Sequence, residues 1–559
     1  MKKLLLTTAL ALLITPALFA QTKVIEAQYD GDGLAIPDVI INEMVADTSA
    51  TGEQLNSVYM LEAGENYTIT QPIVLNNPVT LTAPDFDRTD PNARPPVVRV
   101  GVNADGSQAC PAACVWFLAG ADLTLSNIYF GGIHLGNGWT NGNLLNPIAP
   151  DINVTFKNLI IDYMGWSIIA NFDAGVSNVS YFIQDTYIKN AQNPGDPNSP
   201  FLMLNIGPPI DTLLVQNTTY FQSHGFFIQS RTPINYFRMD HVTLANALKS
   251  PIWNLQLTDA EITNNVFYNT VAAGFNPAEI ADQDPDGFDW NIVNADTLLG
   301  NAPSDPDSVV ARMAEADRRI VVRNNVWYQT PDVIEYMADS LRHVSAFMNP
   351  RAQAMFDDDA TWPGLVEENN LNLEFSFANL TEPGTDGLEA TAELLNYMIN
   401  FRTGAGVDFW GYESDLDQFA AFAPLAIDWP RTEDLRHNIT SVTDDNGNPI
   451  GDQNWFPEIL PVSTEGTHTV PERFSLEQNY PNPFNPATTI QFNLSQSTNV
   501  TLEVFNLLGQ KVATLLNDQP FVAGTHQQRF DASHLASGIY IYRISSPGFM
   551  QTKKMLLVK

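Results

Sequence analysis

A six-residue phrase recurs along the middle of the chain, and its spacing admits few architectures. It reads Leu125-Ser126-Asn127-Ile128-Tyr129-Phe130 at its first appearance and Arg323-Asn324-Asn325-Val326-Trp327-Tyr328 at its last. Copies between them are anchored, at the third position, on Asn158, Asp185, Asn217, His241 and Asn265, with steps of 31, 27, 32, 24, 24 and 60 residues. A step of that size holds one supersecondary unit. Each unit carries short β-branched runs split by Gly, Asn and Pro, with little helical periodicity and few hairpin signals. One set of strands per rung, stacked in parallel on the next, satisfies all of this. Asn127, Asn158, Asn217, Asn265 and Asn325 share the anchor. Asn tolerates left-handed backbone better than other residues with a side chain, so these positions suit a sharp corner between strands. Amides stacked at such corners can hydrogen-bond from rung to rung, which predicts a corner ladder.

An opening run, Val58-Tyr59-Met60-Leu61 followed by Gly64-Glu65-Asn66-Tyr67-Thr68-Ile69, has the same short-strand character. Together with the Asn-centred phrase it resembles the pectin-lyase-like right-handed parallel β-helix proteins, over roughly residues 55 to 330. The resemblance implies the architecture and not an activity, because that fold carries lyases, hydrolases, epimerases, adhesins and structural proteins. The expected fold is mainly β: a right-handed parallel β-helix over 21–330 with an insertion at about 270–320, a helical or irregular flank over 331–460, a linker over 461–471 and a small antiparallel β-sandwich over 472–559. Val333, Met337, Leu341 and Val344 lie at helix spacing in the flank, as do Leu394, Leu395, Met398 and Phe401. These pieces are expected to cap a sheet edge that would otherwise recruit other chains. The flank closes on Asp445-Asn446-Gly447-Asn448-Pro449-Ile450-Gly451-Asp452-Gln453-Asn454-Trp455-Phe456-Pro457, similar to a closing phrase of exported β-helix proteins and read as structural.

Both ends of the chain read as address labels. Lys2 and Lys3 precede an apolar run from Leu4 to Leu13, and small residues end it before Gln21, the pattern of a cleaved secretory signal peptide over 1–20. No later stretch is apolar enough for a transmembrane helix. At the other end stand Tyr480-Pro481-Asn482-Pro483-Phe484-Asn485-Pro486, Asn506-Leu507-Leu508-Gly509-Gln510 and Ser537-Gly538-Ile539-Tyr540. They are similar to the type IX secretion C-terminal sorting domain. That resemblance implies the secretion machinery as a partner, a Bacteroidetes-like diderm host, and a destination at the cell surface or in the medium.

Charge narrows the partners. The chain has 63 Asp plus Glu against 27 Lys plus Arg, a formal net of -36, which repels nucleic acid and anionic lipid. The only cysteines, Cys110 and Cys114, fall in Cys-Pro-Ala-Ala-Cys, and export makes a short-loop disulfide the expected state.

Chemistry is harder to find. The compact Asp-Asp and Asn-x-Asp phrases of β-helix glycoside hydrolases are absent between residues 120 and 270, and Asp240-His241 stands as an isolated pair. A polysaccharide lyase needs a base and a cation to neutralise the substrate carboxylate. His224 and Lys249 fall at similar distances from their rung anchors, with Arg231 and Arg238 on the connection between them. His224, Lys249 and Arg231 are therefore the candidate catalytic set. Asp282, Asp284 and Asp286 resemble the start of a Ca²⁺ loop, but Val293 stands where the bidentate Glu of an EF-hand would be, which leaves a looser Ca²⁺ site as the sole candidate cofactor. Trp139, Trp166, Tyr220, Phe226, Phe227, Trp253 and Trp327 would stack on sugars if exposed, or fill a core if not. The leading reading is a non-catalytic surface protein presenting its long face to an extracellular polysaccharide or another partner. A polysaccharide lyase acting on uronate glycans and a structural surface-layer or adhesion component are the alternatives.

Overall fold

The computed structural model describes residues 22–31, 35–49, 54–88, 90, 93–101, 114–134, 138–139, 142–191, 201–205, 207–223, 225, 227–230, 232–247, 251–253, 257–270, 291–295, 315–341, 346–380 and 434–456. Towards the C-terminus it describes 475–476, 479, 482, 484, 486–494, 498–506, 510–521, 524–532, 535, 538–546 and 549–558. The chain forms two compact units, 1–460 and 461–559.

The first unit is a parallel β-helix. Each full turn supplies three strands. One series runs through Val79–Thr82, Leu123–Ser126, Asn153–Lys157 and Ser180–Gln184, and each member pairs in parallel with the next. The second series, through Tyr129–Gly131, Ile160–Asp162 and Tyr187–Lys189, follows immediately after the corner and stacks the same way. The third forms its own seven-stranded sheet from Ile73–Leu75 to Ile252–Trp253. Strands Ile210–Ser223 and Ile234–Ala247 run straight through the corner, and pair on both sides of it.

Alternation explains why these residues form these strands. In Val79–Thr82 the apolar residues are buried while the threonines are half-buried, as period two requires of a strand with one face inward. One inward column reads Leu81, Leu125, Phe156, Ile183, Val215, Met239, Ile262 and Val322, one residue per rung, all in register and fully buried. Each such side chain contributes roughly 1.5–3 kcal/mol on burial. Tyr220 and Phe227 belong to this core, with ring centroids 4.9 Å apart.

Corners hold the series in register. Asn127, Asn158, Asp185, Asn217, His241, Asn264, Asn324 and Asn369 all have φ between 46° and 61°. The backbone N–H of Asn127, Asn158 and Asp185 each donates across to the carbonyl of the following rung at 3.1 Å. Side chains add to the ladder: Asn158 Nδ2 donates to Asn127 Oδ1 at 2.9 Å, and Asn369 Nδ2 to Asn324 Oδ1 at 2.9 Å.

Two of the expected corner residues are corrected by one position. The left-handed residue is Asn264 and not Asn265, and Asn324 and not Asn325, because the pairing Asp240↔Thr263 places Asn264 beside His241. Asn265 and Asn325 instead point inward, fully buried, and form a second ladder of their own. Asn325 Oδ1 accepts from Asn265 N and Nδ2, while Asn325 Nδ2 donates to Ile262 O and Asn370 Oδ1, all at 2.8–3.0 Å. A further corner, after the second strand series, is marked by positive φ at Tyr163, Asn190, Gln222, Asn246 and Asn269.

The stack also runs past the boundary expected at residue 330. Leu365–Glu368 and Leu371–Asn372 add another rung to Arg319–Arg323 and Val326–Tyr328. The 45-residue interval from Asn324 to Asn369 contains two helices, Pro331–Leu341 and Pro350–Phe356, so spacing alone does not reveal this eighth rung. Asn349 caps the latter helix, accepting from Ala352 N, with Pro350 at its first turn. Helix Val39–Ala46 packs against the first rungs, and Ala352, Met355 and Phe356 continue the core beside the last. Within the insertion expected at about 270–320, the described residues include a single 3₁₀ turn at Glu315–Asp317. The expected helix at 390–401, the Cys110 end of the expected disulfide and the expected signal peptide lie outside the described residues.

The second unit is a small antiparallel sandwich. Ser475–Leu476, Ala487–Leu494 and Gly524–Asp531 form one sheet, and four strands from Thr498–Asn506 to Phe549–Leu557 form the other. Ile490, Phe492, Val500, Leu502, Tyr542 and Ile544 meet in its core. Phe484 is buried there as well, and Asn482 Oδ1 accepts from Leu556 N at 2.8 Å.

Candidate functional site

One rung departs from the corner pattern. His241 occupies a left-handed position held by Asn or Asp on the rungs around it, a conformation His also tolerates. Before it stands Asp240, where the neighbouring rungs carry Gln216 and Thr263. The strands that follow bring more charge onto the same outward face. Register aligns Arg238 with Glu261, Asp259 with Arg319, and Thr263 with Arg323 and Glu368.

Arg238, Asp240, His241, Glu261, Thr263, Arg319, Arg323 and Glu368 line an open groove of about 460 Å³, closed along one side by Asp444, Asp445 and Asn446. Asp240 is the buried centre of it. Its Oδ1 accepts from Thr263 Oγ1 and Asn264 Nδ2, both at 2.8 Å, and its Oδ2 pairs with Arg238 Nη2 at 3.0 Å. Burial pushes this carboxyl up, but the hydrogen bond from His241, the charges of His241 and Arg238, and the Asn264 amide hold it well below the usual carboxylate range. The stability this represents is complete above the ordinary carboxylate pKa and fades as pH falls toward the depressed one.

His241 Nδ1 lies 3.2 Å from Asp240 Oδ1, which places a proton on that nitrogen and leaves Nε2 an acceptor. Nε2 is buried, has no hydrogen-bond partner, and stands 3.6 Å from Asp444 Oδ2. Asp444 is itself fixed: its Oδ1 accepts from Asn446 N at 2.9 Å and Asn448 N at 2.7 Å, and its Oδ2 from Asn448 Nδ2 at 3.1 Å. Burial raises the Asp444 carboxyl, but these Asn448 and Asn446 hydrogen bonds outweigh it and lower it. Around the rim, Arg319 binds Asp259 at 3.0 Å and Glu261 at 2.5 Å, and Arg323 binds Asp445 at 2.7 Å.

Asp444 reaches the groove because the segment 444–456 straps across the rungs. Gly451 N donates to Asn264 O at 2.7 Å, and Asp452 N to Thr243 Oγ1 at 2.9 Å. Asp452 Oδ2 accepts from Thr219 Oγ1 at 2.6 Å and pairs with the buried Arg88. Trp455 Nε1 donates to Thr219 Oγ1 at 2.8 Å, and Asn454 Nδ2 to Asp185 Oδ1 at 3.2 Å. Only a glycine suits position 451: φ is 72°, and a Cβ would stand 2.7 Å from Thr243 Oγ1.

A second polar cluster lies on the strand series after the corner. Tyr129 Oη donates to Asp162 Oδ2 at 2.7 Å and Asn190 Nδ2 to Asp162 Oδ1 at 3.2 Å, with Arg99 and Lys189 in the same register column. Burial pushes the Arg99 guanidinium down to about 10 against the opposing pull of Tyr129 and Asp162. All five of these residues are buried, so the cluster supports the fold and offers no open face.

The candidate set His224, Lys249 and Arg231 lies outside the described residues, as do Asp282, Asp284 and Asp286. Among the described residues no group of three or more His, Cys, Asp or Glu side chains is placed to hold a metal ion, and no helix is long and apolar enough to cross a membrane. Arg238, assigned by sequence to a connection, lies on a strand and enters the groove. The sequence does carry a signal for the rest: the Asp240-His241 pair is the one repeat whose anchor is neither Asn nor Asp.

These features define an exported parallel β-helix with a polar groove on one outward face. Residues 478–559 match the family model of the secretion system C-terminal sorting domain. The chain therefore carries a type IX sorting domain, which marks it for secretion and for contact with that machinery. No curated protein matches the chain.

Proposed function

We propose that the mature chain is a surface or secreted binding protein whose β-helix presents the His241 groove to an extracellular glycan. The observation that carries this reading is an open groove of fixed, planar polar side chains, carboxylate, guanidinium and imidazole, on the outward face of a rigid stack. Such groups pair with sugar hydroxyls in bidentate fashion, and a rigid scaffold lowers the ordering cost of binding. A glycan array probed with the mature chain is expected to retain it on a subset of glycans; uniform failure to bind would overturn the reading. A polysaccharide lyase is the second reading, because the Asp240-oriented imidazole has the form of a general base. It requires unsaturated product, read by its absorbance, from a uronate polymer.

Export has its own test. A chain lacking 478–559 is expected to remain inside the cell envelope, with the protein at the surface or in the medium falling at least tenfold by immunoblot. Undiminished export would remove the role given to the tail.

A further inference from the structure

The strap that walls the groove carries a buried ionisable ring of its own. His437 ends the strand Asp434–His437, which pairs antiparallel with Phe377–Asn379. Its ring lies against those of Phe375 and Phe456, with centroids 6.1 and 5.1 Å away, in the apolar cluster that seats the strap on the rungs. Both ring nitrogens are committed. Nδ1 accepts from Ile439 N at 3.3 Å, so it carries no proton, and Nε2 donates to Ile450 O at 2.8 Å. The second bond ties the two limbs of the strap together. It falls one residue before Gly451, whose N–H binds Asn264 O, and two before Asp452, whose N–H binds Thr243 Oγ1.

Only the neutral ring fits this site. A second proton would sit on Nδ1 and face the Ile439 N–H, donor against donor, and its charge would be buried with no carboxylate bonded to it. Asp434 and Arg436 of the same strand pair with each other, and Glu374, beside Phe375, is exposed. Asp444 is held by its own turn, Asp445 pairs with Arg323 and Asp452 with Arg88. Burial accordingly holds the imidazole below its ordinary value, against the opposing Ile450 hydrogen bond. A ring that is neutral when docked and titrates when released contributes fully above the free imidazole value of about 6.5. Below it the docked state weakens about tenfold per pH unit, until the depressed value is reached. We propose that His437 is an acid latch, whose protonation frees 434–456 from the rungs and takes the wall of Asp444, Asp445 and Asn446 off the groove. The other ionisable groups of the strap do not act this way in the same range. Burial raises the Asp452 carboxyl, so acid favours its docked form, and Asp444 is lowered, so its contribution fades only below the ordinary carboxylate value. A proton on His241 would strengthen its contact with Asp444. The latch goes beyond the glycan reading and does not need it, because release is read without a ligand.

Hydrogen exchange of the full mature chain, corrected for the intrinsic rate and followed by mass spectrometry, is the test. Between pH 7.5 and pH 5 the amides of 434–456 are expected to lose protection at least tenfold, while the rung strands Asn153–Lys157 and Ser180–Gln184 keep theirs. His437→Gln keeps a donor and an acceptor but takes no proton, and should abolish that loss. A strap protected equally at both pH values overturns the proposal. So does an equal loss in His437→Gln, which would assign the trigger to another group, and so does a parallel loss in the rung strands, which would be global unfolding. Should the variant fail to fold, nitrogen NMR of the wild-type histidine rings decides. The ring in contact with Phe375 and Phe456 is expected to be neutral at pH 7.5 and to take its proton as the strap releases; a ring charged at pH 7.5, or still neutral after release, overturns the latch.

Discussion

Asn325→Leu is expected to cost about 3–5 kcal/mol of unfolding free energy, the sum of a few orphaned buried groups at ~1–3 kcal/mol each. Asn325 is fully buried, and its side chain joins three rungs. Leucine has nearly the same volume but removes all four of its hydrogen bonds. The N–H of Asn265 loses its side-chain acceptor, and Ile262 O and Asn370 Oδ1 lose a donor. The comparison is Asn369→Gly on the outer ladder. Asn369 is exposed, its φ of 53° is open to glycine, and the cost should stay near a few tenths of a kcal/mol. Urea unfolding of the mature chain, followed by circular dichroism, separates the two. Equal costs would mean that the inner amides are passengers in an apolar core.

The strap has a comparable weak point. Arg88 and Asp452 are both buried, and removing one partner leaves the other as an uncompensated charge. Arg88→Met is expected to destabilise by about 3–5 kcal/mol. Asp452→Leu should cost a similar amount, since it also gives up the Thr219 hydroxyl and the Asn454 N–H. The double variant should recover part of the loss, because no charge is then stranded, and a double-mutant cycle reads this coupling directly. Limited proteolysis adds the structural readout: single variants should become cleavable within 434–456, where the wild type resists. Additive losses in the cycle would show that the pair does not hold the strap to the rungs.

How much of this was legible in the sequence depends on which force set each position. Corner asparagines were visible because left-handed backbone restricts residue choice, so Asn127, Asn158 and Asn217 announce themselves. The doubled Asn264-Asn265 and Asn324-Asn325 were ambiguous by one residue, since both amides are required, one for the corner and one for the inner ladder. Only the register of the paired strands resolves them. The rung at Leu365–Asn372 was hidden because two helices intervene between Asn324 and Asn369. The sorting sandwich was plain from its motifs, all of which fall within the matched residues 478–559. The groove was the least legible. Asp240-His241 looks isolated along the chain, and its partner Asp444 arrives from about 200 residues away on a segment whose course no local pattern encodes. Long-range delivery of that kind leaves no periodic trace.

The most direct test is nitrogen NMR of the His241 imidazole in the ¹⁵N-histidine-labelled mature chain, assigned by the resonance that His241→Asn removes. The account predicts that the His241 ring signals move on addition of a glycan retained on the array. Ring signals indifferent to every retained glycan would contradict it.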